Sequence, residues 1–447
     1  MATPQGSYLL LLTLASILLL LVLILAAKLH AFLALILTSL ALGIAAGMTP
    51  QALLKSIQTG FGEALGFIAV VVGLGAMIGR FVEHSGGGRV LAGWLLEKFG
   101  RERAAWAVMT AAFLIGLPIF FEVGFIILAP LIWSLARESK RSLLHYGLPM
   151  SAALTVTHAL VPPHPAPAAA AQLLGADVGR TILYGAALSV PMMIAGGIGY
   201  GGWIARRLFI PVPEMAGREN AGASDGQPPP SVGMVVLILL LPVILILAAT
   251  VSGATAFPLK KPLELIGHPF TALLATALIA MYFFGHRRGL QRNRILSMAT
   301  ESLAPIGTLL VIMGAGGAFK QVIVDSGVGP YAGKLLAASN VSPLLVAYVV
   351  AAAMRIAQGS ATVAIITAAG IVAPLVKGIP GYTPEMIVLA LSCGGTILSH
   401  VNDAGFWIVN QYFGMTVPQT LSSWTTMKVI TSAVGFALVL LAQAIFF

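Results

Sequence analysis

Residues 158–167 read HALVPPHPAP, with four prolines and His164 inside a run that has no Asp, Glu, Lys or Arg between Arg141 and Asp177. Each proline removes a backbone donor and clashes with the preceding helical turn. The carbonyls freed in this way cannot face lipid, because an unsatisfied polar group in hydrocarbon costs several kcal/mol. If the run crosses a membrane, the stretch therefore predicts a helix that is broken at depth, inside protein or beside a polar cavity.

The composition indicates that the run does cross a membrane. Of 447 residues, 58% are hydrophobic and 9% are charged, whereas a soluble domain carries about 25% charged residues. A spanning helix needs about 20 apolar residues. Runs of this length without an acidic or basic side chain lie at 7–27, 30–48, 232–252 and 429–447. The predicted fold class is an all-α polytopic membrane protein, and the single Cys393 excludes an intrachain disulfide.

The net charge of +10 could indicate an anionic partner such as nucleic acid. The basic residues, however, cluster in short loops between apolar runs, as they do in the cytoplasmic loops of membrane proteins. We therefore expect the lipid bilayer as a partner and no nucleic acid.

Two halves of the chain resemble each other. The polar, Pro- and Gly-rich segment 208–231 separates residues 1–207 from residues 232–447. Four motifs recur in the same order, at offsets of 238 to 244 residues. They pair HAFLALILTSL with HPFTALLATAL, GLGAMIGRFVEHSGGG with GAGGAFKQVIVDSGVG, LAPLI with VAPLV, and GADVGRTIL with GMTVPQTLS. Because repeats in transporters are often inverted across the membrane, we predict two inverted repeats with these bounds, joined by a cytoplasmic linker.

Charge supports the inversion. Each half contains about five crossings and one long run, 104–136 or 341–376, that we interpret as a re-entrant hairpin. An odd number of crossings per half inverts the second half. With the linker in the cytoplasm, fifteen basic residues lie inside and six outside, in agreement with the positive-inside rule. Both termini are then expected outside.

The repeat also predicts a second broken helix. An offset of 239 residues places His164 opposite Asp403, so VPPHPA corresponds to VNDAGF at 401–406. The hairpins are charged as well, since GLPIFFEVGF contains Glu122 and MRIAQGSATVAIITAAG contains Arg355. A charge at the bilayer centre costs at least about 2.5 kcal/mol, and such groups usually face a cavity. The alternatives are a structural ion pair for Glu122 and a snorkelling position for Arg355.

The second hairpin offers small polar groups. Gln358, Ser360, Thr362 and exposed backbone N–H groups suit a polyhydroxylated substrate, and helix N-termini suit a carboxylate. Helix packing through small residues is the alternative. Among other motif classes, we find no dinucleotide site in a βαβ context, no P-loop and no zinc-binding spacing. We therefore expect no enzyme activity, no cofactor and no metal.

Four motifs carry a resemblance to a known family: PPHPAP, FFEVGF, RIAQGSATVA and SHVNDAGFW. Over nearly its whole length the chain resembles the gluconate permease family of bacterial inner-membrane symporters. The resemblance implies the ion transporter superfamily fold, with two inverted repeats, re-entrant hairpins, broken helices at the midplane and an elevator-type movement. It also implies proton-coupled import of gluconate or another sugar acid, with D-serine and fructuronate as alternative substrates. Ala166 stands where gluconate members usually have Gly.

On this hypothesis, the broken helices and the hairpins bind substrate and protons. The expected substrate-binding residues are Pro163, His164, Arg355, Gln358, Gly359, Ser360, Thr362, Asn402 and Asp403. We expect Glu122 to carry the coupling proton, with Asp403 as the second candidate. A passive channel or facilitator is the rival from another class, and sodium coupling stays open. Elevator-type relatives often form homodimers, so a homodimer is a further expectation.

Overall fold

The computed structural model describes residues 6–213, 228–253, 260–327, 341–377, 379–401 and 403–446, so most of the predicted linker lies outside the described residues. The described residues form helices and turns without a β-strand, as the all-α prediction requires. The helices of the first half are α1 (Gly6–Leu25), α2 (Ala31–Ala45), α3 (Pro50–His84), α4 (Gly87–Phe99), α5 (Ala104–Gly116), α6 (Phe121–Ser139), α7 (Leu144–Leu160), α8 (Pro165–Leu174), α9 (Val178–Met193) and α10 (Gly201–Ala205). Those of the second half are α11 (Val232–Gly253), α12 (Lys260–Ile266), α13 (Pro269–Phe284), α14 (Arg292–Leu303), α15 (Gly307–Asp325), α16 (Pro343–Gln358), α17 (Ala361–Val376), α18 (Pro384–Thr396), α19 (Ala404–Tyr412), α20 (Val417–Thr420) and α21 (Thr426–Phe446).

Five stretches of the described chain are helical, long and apolar enough to cross a membrane. They are Pro50–His84, Val178–Ala205, Val232–Ser252, Pro269–Arg288 and Val417–Phe446. Two of them continue through a π-helical turn, at Ile194–Tyr200 and at Leu421–Thr425. Shorter apolar helices lie at Ala31–Ala45, Pro343–Ile356 and Ala361–Val376. These lengths fit several passes through a bilayer whose hydrocarbon core needs about 20 helical residues.

Both expected helix breaks are present. In the first half, α7 ends at Leu160, Val161 is extended, and α8 begins at Pro165 with His164 as its N-cap. Proline is well placed at the first helical position, because its missing N–H would be unpaired there anyway. In the second half, α18 ends at Thr396 and α19 begins after Asp403, whose side chain accepts a hydrogen bond from the first helical turn.

Both long apolar runs form helical hairpins. In the first, the turn between α5 and α6 comprises residues 117–120. In the second, Gly359 ends α16 with a φ of 78°, which a residue with a side chain rarely adopts. Ser360 then caps α17, and its hydroxyl accepts from the backbone N–H of Val363. The turn of the second hairpin is therefore only two residues long.

The two halves pack closely along α3 and α15. A Cβ added at Gly60 would meet the carbonyl oxygen of Gly317, and one added at Gly317 would meet that of Gly60. Small residues let two membrane helices approach until their backbones touch. At the end of α15, Asp325 accepts a hydrogen bond at 2.5 Å from the hydroxyl of Ser56, which lies near the start of α3. The start of α3 therefore lies against the end of α15, and the two helices run antiparallel.

The structure contains helices that hydropathy alone does not indicate. The helix α3 begins at Pro50 behind a Thr49 cap and is 35 residues long, so it extends beyond its apolar part. The polar segments at 87–99 and 292–303 form α4 and α14. Both are amphipathic, with buried apolar residues on one side and charged residues on the other. A helix that lies only partly in apolar surroundings leaves no long apolar run in the sequence.

Candidate functional site

A polar cavity of about 270 Å³ lies between the tip of the second hairpin, the second helix break and the first turn of α6. The described residues that line it are Phe121, Glu122, Thr155, His158, Arg355, Gly359, Ser360, Ala361, Thr362, Asp403, Ala404, Gly405, Trp424 and Lys428. Six of the residues expected from sequence are among them, contributed by both halves of the chain. We call this space the central cavity.

Arg355 and Asp403 form a buried ion pair at one side of the central cavity. The guanidinium of Arg355 donates to Asp403 and to the carbonyl oxygen of Gly359, and the residue is 1% exposed. Asp403 also accepts from the hydroxyl of Ser399 and, at 3.0 Å, from the backbone N–H of Gly405. Both oxygens of Asp403 are therefore paired, whereas the buried Nε of Arg355 has no hydrogen-bond partner among the described residues. A buried ion pair is tolerated when most of its polar atoms are paired in this way. Arg355 thus ties the hairpin tip to the broken helix and does not snorkel to the membrane surface.

The hairpin tip presents hydroxyl groups to the cavity. Ser360 caps α17 and Thr362 stands in its first turn, where backbone N–H groups lack intrahelical partners. The hydroxyl of Thr362 hydrogen-bonds with His158 Nε2 at 3.0 Å. This bond joins the second hairpin to α7 of the first half.

His158, rather than His164, is the histidine that lines the cavity. Neither Pro163 nor His164 is among the described lining residues. His164 is buried and donates through Nε2 to the carbonyl oxygen of Gly116, at the end of α5. The two imidazole rings lie 4.7 Å apart, so His164 stands behind His158. A sequence signal existed: Thr155 and His158 are three residues apart and share one face of α7.

Glu122 lines a cavity, as its charge within a long apolar run predicts. It stands in the first turn of α6 and lines both the central cavity and a second, larger space of about 690 Å³. The N-terminus of a helix favours a negative charge. His158, Ser360 and Thr362 line both spaces too, so the two cavities are neighbours.

The second cavity extends to three charged residues near the end of α3, Arg80, Glu83 and Glu301, which we call the Arg80 cluster. Arg80 pairs with Glu83 at 3.2 Å and with Glu301 at 3.1 Å. A hydrogen bond from Ser297 and the contact with Arg80 lower the pKa of Glu301 below its ordinary value. Glu301 therefore stays ionised at neutral pH, and the cluster stays charged.

Lys428 and Trp424 belong to the central cavity and were not expected there. Lys428 is 3% exposed, and its Nζ lies 5.6 Å from the centre of the Trp424 ring. The indole N–H of Trp424 donates to Ser399 at 2.7 Å and so joins the network around Asp403. The available signal was charge: Lys428 is the only Asp, Glu, Lys or Arg between Asp403 and the end of the sequence. An isolated charge within a spanning helix usually has a function.

Two of the expected residues are not placed. Asn402 and the side chain of Gln358 lie outside the described part of the chain. The neighbours of both, Asp403 and Gly359, line the central cavity.

Comparison with solved structures supports the fold. The YdaH transporter of Alcanivorax borkumensis matches with a TM-score of 0.61 over 89% of this chain and 90% of its own, at 16% identity. MtrF of Neisseria gonorrhoeae, described as one of a class of antimetabolite efflux pumps, matches with a TM-score of 0.65 over 87% and 84%, at 15% identity. At these identities the likeness concerns the fold alone.

Comparison of sequences gives a closer relation. Residues 8–445 match the family described as GntP family permease. A protein named gluconate permease from Pseudomonas aeruginosa is 45% identical over 99% of both chains. From Escherichia coli, a high-affinity gluconate transporter is 40% identical over 94% of this chain and 95% of its own, and a Gnt-II system L-idonate transporter is 39% identical over 96% and 98%. Since the match covers nearly the whole chain, and these relatives are named as permeases or transporters, this chain belongs to the GntP family of permeases and is a multi-pass membrane protein rather than an enzyme.

Proposed function

We propose that this permease imports gluconate or a closely related sugar acid together with a proton, by alternating access. The observation that carries the proposal is the central cavity, where hydroxyls, an imidazole, two carboxylates and basic side chains converge inside an apolar helical protein. The names of the relatives support the substrate class, because gluconate and L-idonate are both polyhydroxylated carboxylic acids. D-serine and fructuronate are the alternatives within the family.

The hydroxyl groups of the substrate find partners along one wall of the cavity. Ser360, Thr362 and His158 offer groups that both donate and accept hydrogen bonds. The hydroxyl of Thr155 donates to backbone carbonyl oxygens of α7 and offers the substrate an acceptor. The tip of the second hairpin adds backbone N–H groups at the start of α17. The hydroxyl groups of a bound substrate then replace their hydrogen bonds to water by hydrogen bonds to the protein.

Glu122 is the proposed site of the coupling proton. Its carboxylate faces the cavity from the first turn of α6. Asp403, the second candidate, already accepts hydrogen bonds from Arg355, Ser399 and Gly405. Protonation of Asp403 would weaken the link between hairpin tip and broken helix, whereas protonation of Glu122 leaves that link in place.

Contacts between the halves support the inverted repeat. Gly60 faces Gln321, and Arg80 contacts Glu301. At an offset of 241 residues, Gly60 corresponds to Glu301 and Arg80 corresponds to Gln321. The contact of Gly60 with Gln321 therefore corresponds to the contact of Glu301 with Arg80, as a two-fold axis requires. With an offset of 239, the contact between His164 and Gly116 likewise corresponds to that between Asp403 and Arg355. We therefore retain 1–207 and 232–447 as repeats about the linker 208–231.

The proposed topology determines to which side of the membrane the cavities open. With the linker in the cytoplasm of a bacterial inner membrane, both termini are periplasmic and the Arg80 cluster lies on the cytoplasmic side. The second cavity then connects the central cavity with the cytoplasm, which corresponds to an inward-facing state. In the proposed elevator movement, the hairpins and broken helices carry the cavity across the membrane within a homodimer.

Uptake into proteoliposomes tests this function. Labelled gluconate is supplied under an imposed inward pH gradient, with unlabelled L-idonate, fructuronate or D-serine as competitor. We expect accumulation above equilibrium that a protonophore abolishes and that L-idonate, but not D-serine, inhibits. Equilibration without accumulation would indicate a passive facilitator. Accumulation driven by a sodium gradient would identify sodium, rather than the proton, as the coupling ion. Inhibition by D-serine would assign the protein to the D-serine branch of the family.

A further inference from the structure

We propose that the ammonium group of Lys428 binds the carboxylate of the substrate and makes the central cavity selective for a singly charged acid over an uncharged polyol. The inference rests on the proposed function for the presence of a sugar acid. It assigns the acid group to one position in the cavity, at the beginning of α21.

Lys428 is a cation in an unusual place. It is 3% exposed and nevertheless lines the cavity, so its surface faces that space. The Trp424 ring, 5.6 Å from Nζ, is its observed cation partner. Among the described residues, no ion pair or hydrogen bond engages the ammonium. A lysine at depth in a membrane is costly unless a counter-charge or water solvates it.

Arg355 is a poorer candidate for the carboxylate. Its guanidinium already donates to Asp403 and to Gly359. A substrate bound there would have to compete with an intramolecular carboxylate held in place by Ser399 and Gly405. The ammonium of Lys428 has three donors and no such competitor.

The charges around Lys428 relate this site to the proton. The titratable groups that line the cavity with it are Arg355 and Asp403, which neutralise each other, and Glu122 and His158. With His158 neutral and Glu122 ionised, the cavity has no net charge, and a bound anion would leave one negative charge. With Glu122 protonated, Lys428 leaves one positive charge, which the anion neutralises. Binding of one anion is therefore coupled to binding of one proton.

The geometry also orients the substrate. Lys428 lies beside Trp424 in the cavity lining, and the hydroxyl-bearing tip of the second hairpin with His158 supplies a separate set of groups. An acid held at Lys428 can extend its hydroxylated chain towards the tip. A substrate without the acid keeps the second set of contacts and loses the first.

Binding to purified protein tests the proposal, with labelled gluconate and with D-glucitol, which has a hydroxymethyl group in place of the carboxylate. We expect K428M to weaken gluconate binding by about 10- to 100-fold, the effect of one charge-assisted hydrogen bond, and to leave D-glucitol binding unchanged. K428R retains the charge and should bind gluconate more tightly than K428M. K320M, in α15 and outside both cavities, is the matched control and should bind as the wild type does.

The outcomes separate this proposal from the proposed function. A folded K428M that binds gluconate as tightly as the wild type overturns the role of Lys428 and leaves gluconate transport standing. Failure of the wild type to bind any sugar acid overturns the proposed function itself. If K428M does not fold, as judged by its thermal unfolding, K428Q is measured in the same way and decides the question.

Discussion

The two helix breaks occupy equivalent positions in the two halves but differ in chemistry. At the first break, His164 carries an imidazole, is buried, and donates to the backbone of Gly116. At the second, Asp403 carries a carboxylate that pairs with Arg355 and lines the central cavity. Both residues attach a broken helix to the adjacent hairpin. Only the second attachment is an ion pair, and only the second faces the cavity.

On the proposed repeat, the difference means that corresponding positions of the two halves take different roles. The second half supplies its break and its hairpin tip to the cavity. The first half supplies Thr155 and His158 from a helix face, and Glu122 from the start of α6, while its own break stays behind them. The two halves therefore contribute different groups to one cavity.

The largest effect is expected at the charged break. R355M leaves the carboxylate of Asp403 buried without its partner, which destabilises a protein by about 3–5 kcal/mol. We expect transport to be lost and the thermal unfolding midpoint to fall. The double variant R355M/D403N removes both charges and should recover part of the stability without recovering transport. Equal stability of R355M and the wild type would show that the ion pair does not hold the break.

Loss of coupling is the next expected effect. E122Q cannot release a proton, so we expect no accumulation of gluconate under a pH gradient. Exchange of labelled for unlabelled gluconate should persist, because the remaining cavity residues are intact and the neutral side chain resembles protonated Glu122. Accumulation at the wild-type level would remove Glu122 from the coupling role. Measurement of exchange and accumulation in the same vesicles separates coupling from folding.

The two histidines sharpen the comparison further. H158A removes a hydrogen-bonding group from the cavity, and we expect it to raise the gluconate KM by about 3- to 10-fold. H164A leaves the carbonyl of Gly116 without its partner and should lower stability by about 1–3 kcal/mol with little change in KM. Thermal unfolding and initial uptake rates check both variants. The reverse pattern would place His164 at the substrate and His158 in the support.

The smallest effect is expected at the Arg80 cluster. Its members are partly exposed, with side-chain exposures of 32% for Arg80 and 45% for Glu301, and solvent screens such ion pairs so that they add little to stability. R80Q should leave gluconate binding unchanged and alter the transport rate in a salt-dependent way. Because the pKa of Glu301 is lowered, its contribution is present at neutral pH and is lost only as acidification approaches that lowered value. A pH-dependent R80Q effect between pH 6 and 8 would contradict this account.

Sequence alone determined the elements of this protein that depend on local chemistry. Apolar runs of sufficient length predict crossings and hairpins, and prolines at 162–167 predict a break, because each effect acts on the residues concerned. The internal repeat then located the second break at Asp403. The charges of Glu122 and Arg355 indicated cavity-facing groups, and the structure places both at the central cavity.

Only the tertiary structure decided which side chains share the cavity. The rotation of α7 about its axis places His158 inside, and the helix break that follows leaves His164 behind it. The packing of α21 brings Lys428 to the same space as Glu122, which lies about 300 residues away in the sequence. These facts depend on how helices that are distant in the chain turn towards one another. No local pattern contains that information, because helix rotation is set by packing against neighbouring helices.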